Sequence, residues 1–224
     1  MRIGALPWML AAALSTVGCA AEQVSLDLGP REYVASDYER LLRRWTRTGE
    51  LIQLDVLDNV LTATATYRSW DFRWAYVVRY SEDYRLTIDQ RRALLARERQ
   101  DVRREHEFFL ALYAQRPKWG DLNVDNPAWI VRLIDDEGNE TAPSEIERIR
   151  KPGALEQTYF PYTTAWRMAY RVHFPVVDAV GKRSISPTAR WFGLRFTGPQ
   201  GHQDLVWEIE SQPLRTPADE FAAP

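Results

Sequence analysis

The chain has 224 residues, is 45% hydrophobic and 27% charged, and carries a formal net charge of −2. That length suits one large domain with a hydrophobic core of its own, and the near-balanced charge gives no bulk electrostatic signal for nucleic acid or for an anionic membrane surface. A single cysteine excludes a disulfide framework, while nine Trp, ten Tyr and eight Phe point to a core rich in large rings.

At the N-terminus Arg2 precedes an apolar stretch from Ile3 to Leu14, followed by Ser15-Thr16-Val17-Gly18-Cys19-Ala20. A basic start, a short apolar run and small residues at its end mark a processing segment rather than a spanning helix, which needs about 20 apolar residues. Gly18-Cys19 at this position resembles the lipobox of bacterial lipoproteins, although Thr16 stands where that family usually has Leu. The resemblance implies a signal peptide over residues 1–18, lipid on Cys19 and, with the non-acidic Ala20 next, sorting to the outer membrane with a periplasmic domain. Several acyl chains, at about 0.8 kcal/mol per buried methylene, would give a stable anchor. Ordinary signal cleavage after Ala20 or Ala21 is the alternative, because the residues around Cys19 are small enough for that enzyme too.

Residues 19–30, ending in Gly29-Pro30, read as a lipidated tether spanning at most about 35–40 Å. Ser36-Asp37-Tyr38-Glu39 matches a capping box, and Tyr38, Leu41, Leu42 and Trp45 then recur at helical spacing. Arg40, Arg43 and Arg44 form a solvated face, with lipid headgroup contact as the minority reading. From Leu51 the period becomes two, and the runs to Val56 and from Val60 to Tyr67 predict a hairpin turning at Asp58-Asn59. Helices are expected over Asp71 to Tyr84 and Thr87 to Arg104, the second opening on the capping box Thr87-Ile88-Asp89-Gln90. Leu94, Leu95 and Val102 give that second helix only a sparse apolar stripe, so one side must be exposed.

Further strands are expected over Phe108 to Ala114, Trp129 to Ile134 and Ala169 to Val176, with a long connection between the last two. Trp191 to Thr197 and Leu205 to Glu210 flank Gly198-Pro199-Gln200-Gly201 and form a final hairpin. The fold class expected is α+β: a mainly antiparallel β-sandwich of about seven strands over residues 31–211, with a helical insertion near 71–104 and a disordered tail at 212–224. The strand count loosely resembles an immunoglobulin-like sandwich, without its cysteine pair.

Motifs that carry chemistry are sparse. Asp121-Leu122-Asn123-Val124-Asp125-Asn126 begins like an EF-hand loop, but Asn126 replaces the required Gly and Arg132 the closing Glu, leaving an Asx-rich turn. Asp135 to Glu140 reads as a solvated turn with Gly138 at positive φ. His106, His173 and His202 share no metal-ligand spacing and are placed at the surface. No serine elbow, phosphate loop or paired carboxylates stand out, so no catalytic residue, metal or cofactor is assigned. Phe72, Tyr76 and Tyr80 read as a helix face packed on a sheet. Tyr159, Tyr162 and Trp166, around Pro161, are either packed over the sandwich end or exposed to a glycan or partner peptide. The reading is an envelope lipoprotein acting by noncovalent interaction in outer-membrane or periplasmic structure or assembly. Its partners are the membrane through the lipid and an envelope protein or glycan, not nucleic acid. A glycan-binding module and a periplasmic hydrolase are the alternatives.

Overall fold

The computed structural model describes residues 22–53 and 58–210; Cys19 with its signal segment and the tail from residue 211 lie outside them. Among the described residues, nine strands form two antiparallel sheets with helices laid over one of them. The first sheet has the order β1 (Thr46–Gln53), β2 (Asp58–Tyr67), β3 (Glu105–Ala114), β7 (Met168–Pro175) and β6 (Glu145–Ile149). The second runs β5 (Glu140–Thr141), β4 (Ile130–Asp135), β8 (Trp191–Gly198) and β9 (Gly201–Glu208). The expected α+β, mainly antiparallel class is therefore what forms. The extra strands are β5 and β6, which with the short helix α4 (Ala154–Tyr159) structure the connection expected to be a loop.

Alternation assigns the faces. On β3, Phe108, Leu110 and Leu112 enter the space between the sheets, where Phe108 lies 5.5 Å from Trp207 and Trp207 stacks on Phe192 at the same spacing. On β2, Ala63, Ala65 and Tyr67 face the same way, and Thr62, Thr64 and Thr66 the other. Asp58 and Asn59, expected to turn the hairpin, instead pair with Gln53 and Ile52 as strand residues. β1 begins at Thr46, straight after the helix that ends at Trp45, because the threonines there extend the ladder: Thr46 and Thr48 share hydroxyl bonds with Thr66 and Thr64 at 2.6 and 3.0 Å. β1 also meets the edge of β9, where Arg47 Nε donates to the Val206 carbonyl at 2.9 Å.

α1 (Tyr38–Trp45) buries Tyr38, Leu41, Leu42 and Trp45 as the spacing predicts. Its entry differs: the Asp37 carboxylate accepts from Val34 N at 3.0 Å, ahead of a short 3-10 turn, so Ser36 is not the cap. α2 (Trp70–Asp83) starts on a Ser69 cap, and α3 (Ile88–Arg104) on the expected Thr87–Gln90 box.

The segment read as a tether is docked along the domain. Val24 is fully buried, donating to the Glu208 carbonyl and accepting from Glu210 N, both at 2.8 Å, beside β9. Gly29 accepts from the Trp70 indole at 2.7 Å, and Arg31 pairs with Asp71 at 2.8 Å. Asp71 also receives the Tyr33 hydroxyl and the Trp45 indole, so one buried carboxylate ties the arm, α1 and α2 together.

Candidate functional site: a charged cleft under the helical layer

The outer face of the five-stranded sheet supplies Glu107 and Phe109 from β3 and Arg171 from β7, and the helices close over them. Ser69 fixes the start of α2 by accepting from Phe72 N at 3.1 Å, which turns Arg73 down onto β3. Four side chains then form a closed ring of alternating charge. Arg68 Nη1 meets Glu107 Oε1 at 2.6 Å, Glu107 Oε2 accepts from Arg73 at 2.7 Å, Arg73 binds Glu98, and Glu98 returns to Arg68 at 3.2 Å. Arg73 is 1% exposed, so the ring replaces water for a charge in the interior. Burial on its own would raise the Glu107 carboxyl; the Arg68 and Arg73 guanidiniums outweigh it and hold the pKa at about 2. Burial opposes the Arg68 charge, and Glu107 and Glu98 more than restore it.

Beside the ring lies a cavity of about 70 Å³, bounded by Arg68, Tyr76, Phe109, Glu156, Tyr159 and Arg171. Arg171 pairs with Glu147 at 3.1 Å and Glu156 at 3.4 Å. Arg68 stands over the Tyr76 ring at 5.6 Å, and its buried Nε has no hydrogen-bond partner. Desolvation pushes the Tyr76 hydroxyl up to about 12, keeping it a neutral donor. The space suits a few waters or a very small polar solute, well short of the roughly 300 Å³ of ordinary ligand pockets.

The aromatic residues singled out from sequence separate. Tyr159 is 3% exposed, its carbonyl accepting from Tyr38 and its hydroxyl donating to Asp83 at 2.8 Å, so it belongs to the core. Phe160 stacks face to face on Phe109 at 3.8 Å. Tyr162 is half-buried and bonds to Thr66 at 2.7 Å. Trp166, at 85% exposure, reaches solvent, beside an Arg167 that donates to Thr64 at 2.8 Å. Tyr159, Tyr162 and Trp166 thus do not form one exposed surface. Phe72, Tyr76, Tyr80 and Tyr84 stack in succession along α2, as their spacing suggests.

The acidic turns are structural. Asn123 N donates to Asp121 Oδ1 at 3.1 Å, an Asx turn, and Arg148 neutralises the same carboxylate at 2.6 Å. Gly138 has φ +82, as expected, but Asp135 is buried rather than solvated, accepting from Asn139 N and Ser186 N at 2.9 Å. Two of the three histidines differ from the surface placement expected. His106 is half-buried against the Tyr67 hydroxyl at 2.8 Å, and desolvation pushes its pKa down to about 4. His202, paired with Thr197 on β9, is exposed as expected. His173 lies 3.0 Å from Glu105 without hydrogen-bond alignment, its side chain only 15% exposed.

Glu105, Glu107 and His173 bring ligand atoms within 4.8 Å of one another, the one such group among the described residues. They fit a metal poorly, because both Glu107 oxygens are occupied by guanidiniums that would repel a cation. The charge ring and cleft escaped sequence reading. The ring's members lie up to 39 residues apart and the cleft adds Glu156, Tyr159 and Arg171, and the only local signal was Glu107 alternating onto the same face as Phe109. Comparisons with protein-family models, curated proteins and solved structures each found no match.

Proposed function

We propose that this chain is a lipid-anchored domain of the bacterial cell envelope, held close to the outer membrane and acting by noncovalent interaction in envelope structure or assembly. The observation that supports it is the docked arm. With Val24 locked beside β9, only four residues separate Cys19 from the folded body, giving a reach of roughly 15 Å instead of a long tether. Such an arm holds one side of the domain near the bilayer, a placement suited to a partner at the membrane surface. The test is the mass of the mature N-terminus from the native host, beside a Cys19→Ala variant fractionated between membrane and soluble pools. A diacylglyceryl-modified Cys19, with membrane association lost in the variant, supports the reading. An unmodified N-terminus at Ala21 or Glu22 overturns it.

A glycan-binding module is the second reading, favoured by the exposed Trp166 ring next to the polar Arg167–Thr64 pair. Pull-down on insoluble peptidoglycan that survives Trp166→Ala would remove it.

A further inference from the structure

α3 carries a strongly basic surface. It holds six arginines, Arg91, Arg92, Arg97, Arg99, Arg103 and Arg104, against three acids, Asp89, Glu98 and Asp101. Glu98 is buried and already committed to Arg68 and Arg73, so it does not offset the outer face. Among the described residues, only Arg92 of the six has an ion-pair partner, Asp89 at 3.7 Å. All but Arg91 are exposed, so five cations project from one helix while the whole chain is net negative.

Their order on the helix matters. At 3.6 residues per turn, Arg92, Arg99 and Arg103 form one row and Arg97 and Arg104 a second, with Ala93, Ala96 and Gln100 between them. Ala93 and Ala96 leave room between the rows for a flat surface to approach both at once. The cations are arginines in a chain whose only lysines are Lys118, Lys151 and Lys182. The planar guanidinium forks onto phosphate oxygens, which an ammonium cannot do. Position fits as well. Arg73 near the start of α2 contacts Glu98, and Trp70 at that start holds Gly29 of the arm, so the C-terminal half of α3 lies at the end where the arm meets the helices.

We propose that the outer face of α3 binds the phosphate groups of an anionic lipid surface. The arginines supply charge and forked donors, and the buried face, fixed by the Glu98 ring and Val102, keeps the helix presented outward. The proposal rests on the lipid-anchored reading for its setting, since the anchor is what brings this helix to a membrane.

The experiment uses the unlipidated chain from residue 20, which carries every described element and contact. It is floated with phosphatidylcholine vesicles, and with the same vesicles containing about one third phosphatidylglycerol. Binding is expected to the anionic vesicles only and to weaken steeply with added salt. Arg92→Gln/Arg99→Gln/Arg103→Gln, which keeps helix propensity, should lower partitioning by roughly a hundredfold, at about fivefold per arginine. A circular dichroism melt matching the parent confirms that the variant is folded. Equal binding to both vesicle types, or an unchanged partition in the variant, would overturn the proposal. Capture by poly-glutamate with no affinity for the anionic vesicles would make the partner an acidic protein and overturn it too. Because the chain tested bears no lipid, this result is independent of the Cys19 mass measurement, and the two readings fail separately.

Discussion

Arg73 Nη2 donates to Glu107 Oε2 at 2.7 Å, joining the first turn of α2 to the middle sheet strand β3 with almost no solvent at either side chain. Glu107→Ala leaves Arg73 buried with half its neutralising charge and should destabilise the domain by about 3–5 kcal/mol in urea unfolding. The double variant Arg73→Met/Glu107→Leu should lose far less than the two single losses combined. Simple additivity would show that the pair is not coupled.

Acid should unfold the protein in two stages. His106, lowered from 6.5 to about 4 in the fold, is held neutral, so its contribution is complete above pH 6.5 and is lost as pH falls toward 4. Glu107, lowered from 4.5 to about 2, contributes fully above pH 4.5 and loses this between 4.5 and 2. His106→Gln should flatten the stability profile between pH 6.5 and 4 and leave the lower stage in place. A slope unchanged by that substitution would assign the upper stage to another group.

These two sites show where the sequence stopped being readable. The face of α1, the Thr87 box and the final hairpin were legible because each is a local pattern of spacing, capping or turn chemistry. β6, with the sequence Glu-Ile-Glu-Arg-Ile, is short and pairs only with β7, and its charges mask the alternation. Glu105-His106-Glu107 looked like surface for the same reason. Glu107 is buried by α2 and α3 arriving from elsewhere in the chain, while His106 turns to the opposite face against Tyr67; both are long-range events that no local period records.

Gly198 and Gly138 should respond differently to alanine. A Cβ at Gly198 would lie 2.3 Å from the Ala128 carbonyl oxygen and 2.8 Å from the Trp129 ring, so backbone must move and the cost should be about 3 kcal/mol or more. At Gly138 nothing lies within 4 Å, and the cost is the φ +82 conformation itself, about 1–2 kcal/mol. Thermal melts of the two variants compare the effects directly; equal losses would contradict the crowding at Gly198.

Phe160→Ala should cost about 3–5 kcal/mol, because it removes a ring stacked on Phe109 and opens a void. Trp166→Ala should leave stability within about 0.5 kcal/mol of the parent. A large loss at Trp166 would mean that its ring is covered in solution.

The docked arm also has a mechanical meaning. Val24 is held between Glu208 and Glu210 by two backbone hydrogen bonds, so chain entry and chain exit sit side by side. Tension arriving from the N-terminal side falls on those bonds before it reaches the sheets. Once they part, residues 22–29 pay out as slack of roughly 25–30 Å while the core stays folded. In a single-molecule pulling trace this would be a short early step ahead of the main rupture. The arm would then work as a shock absorber, holding the domain close at rest and lengthening under load.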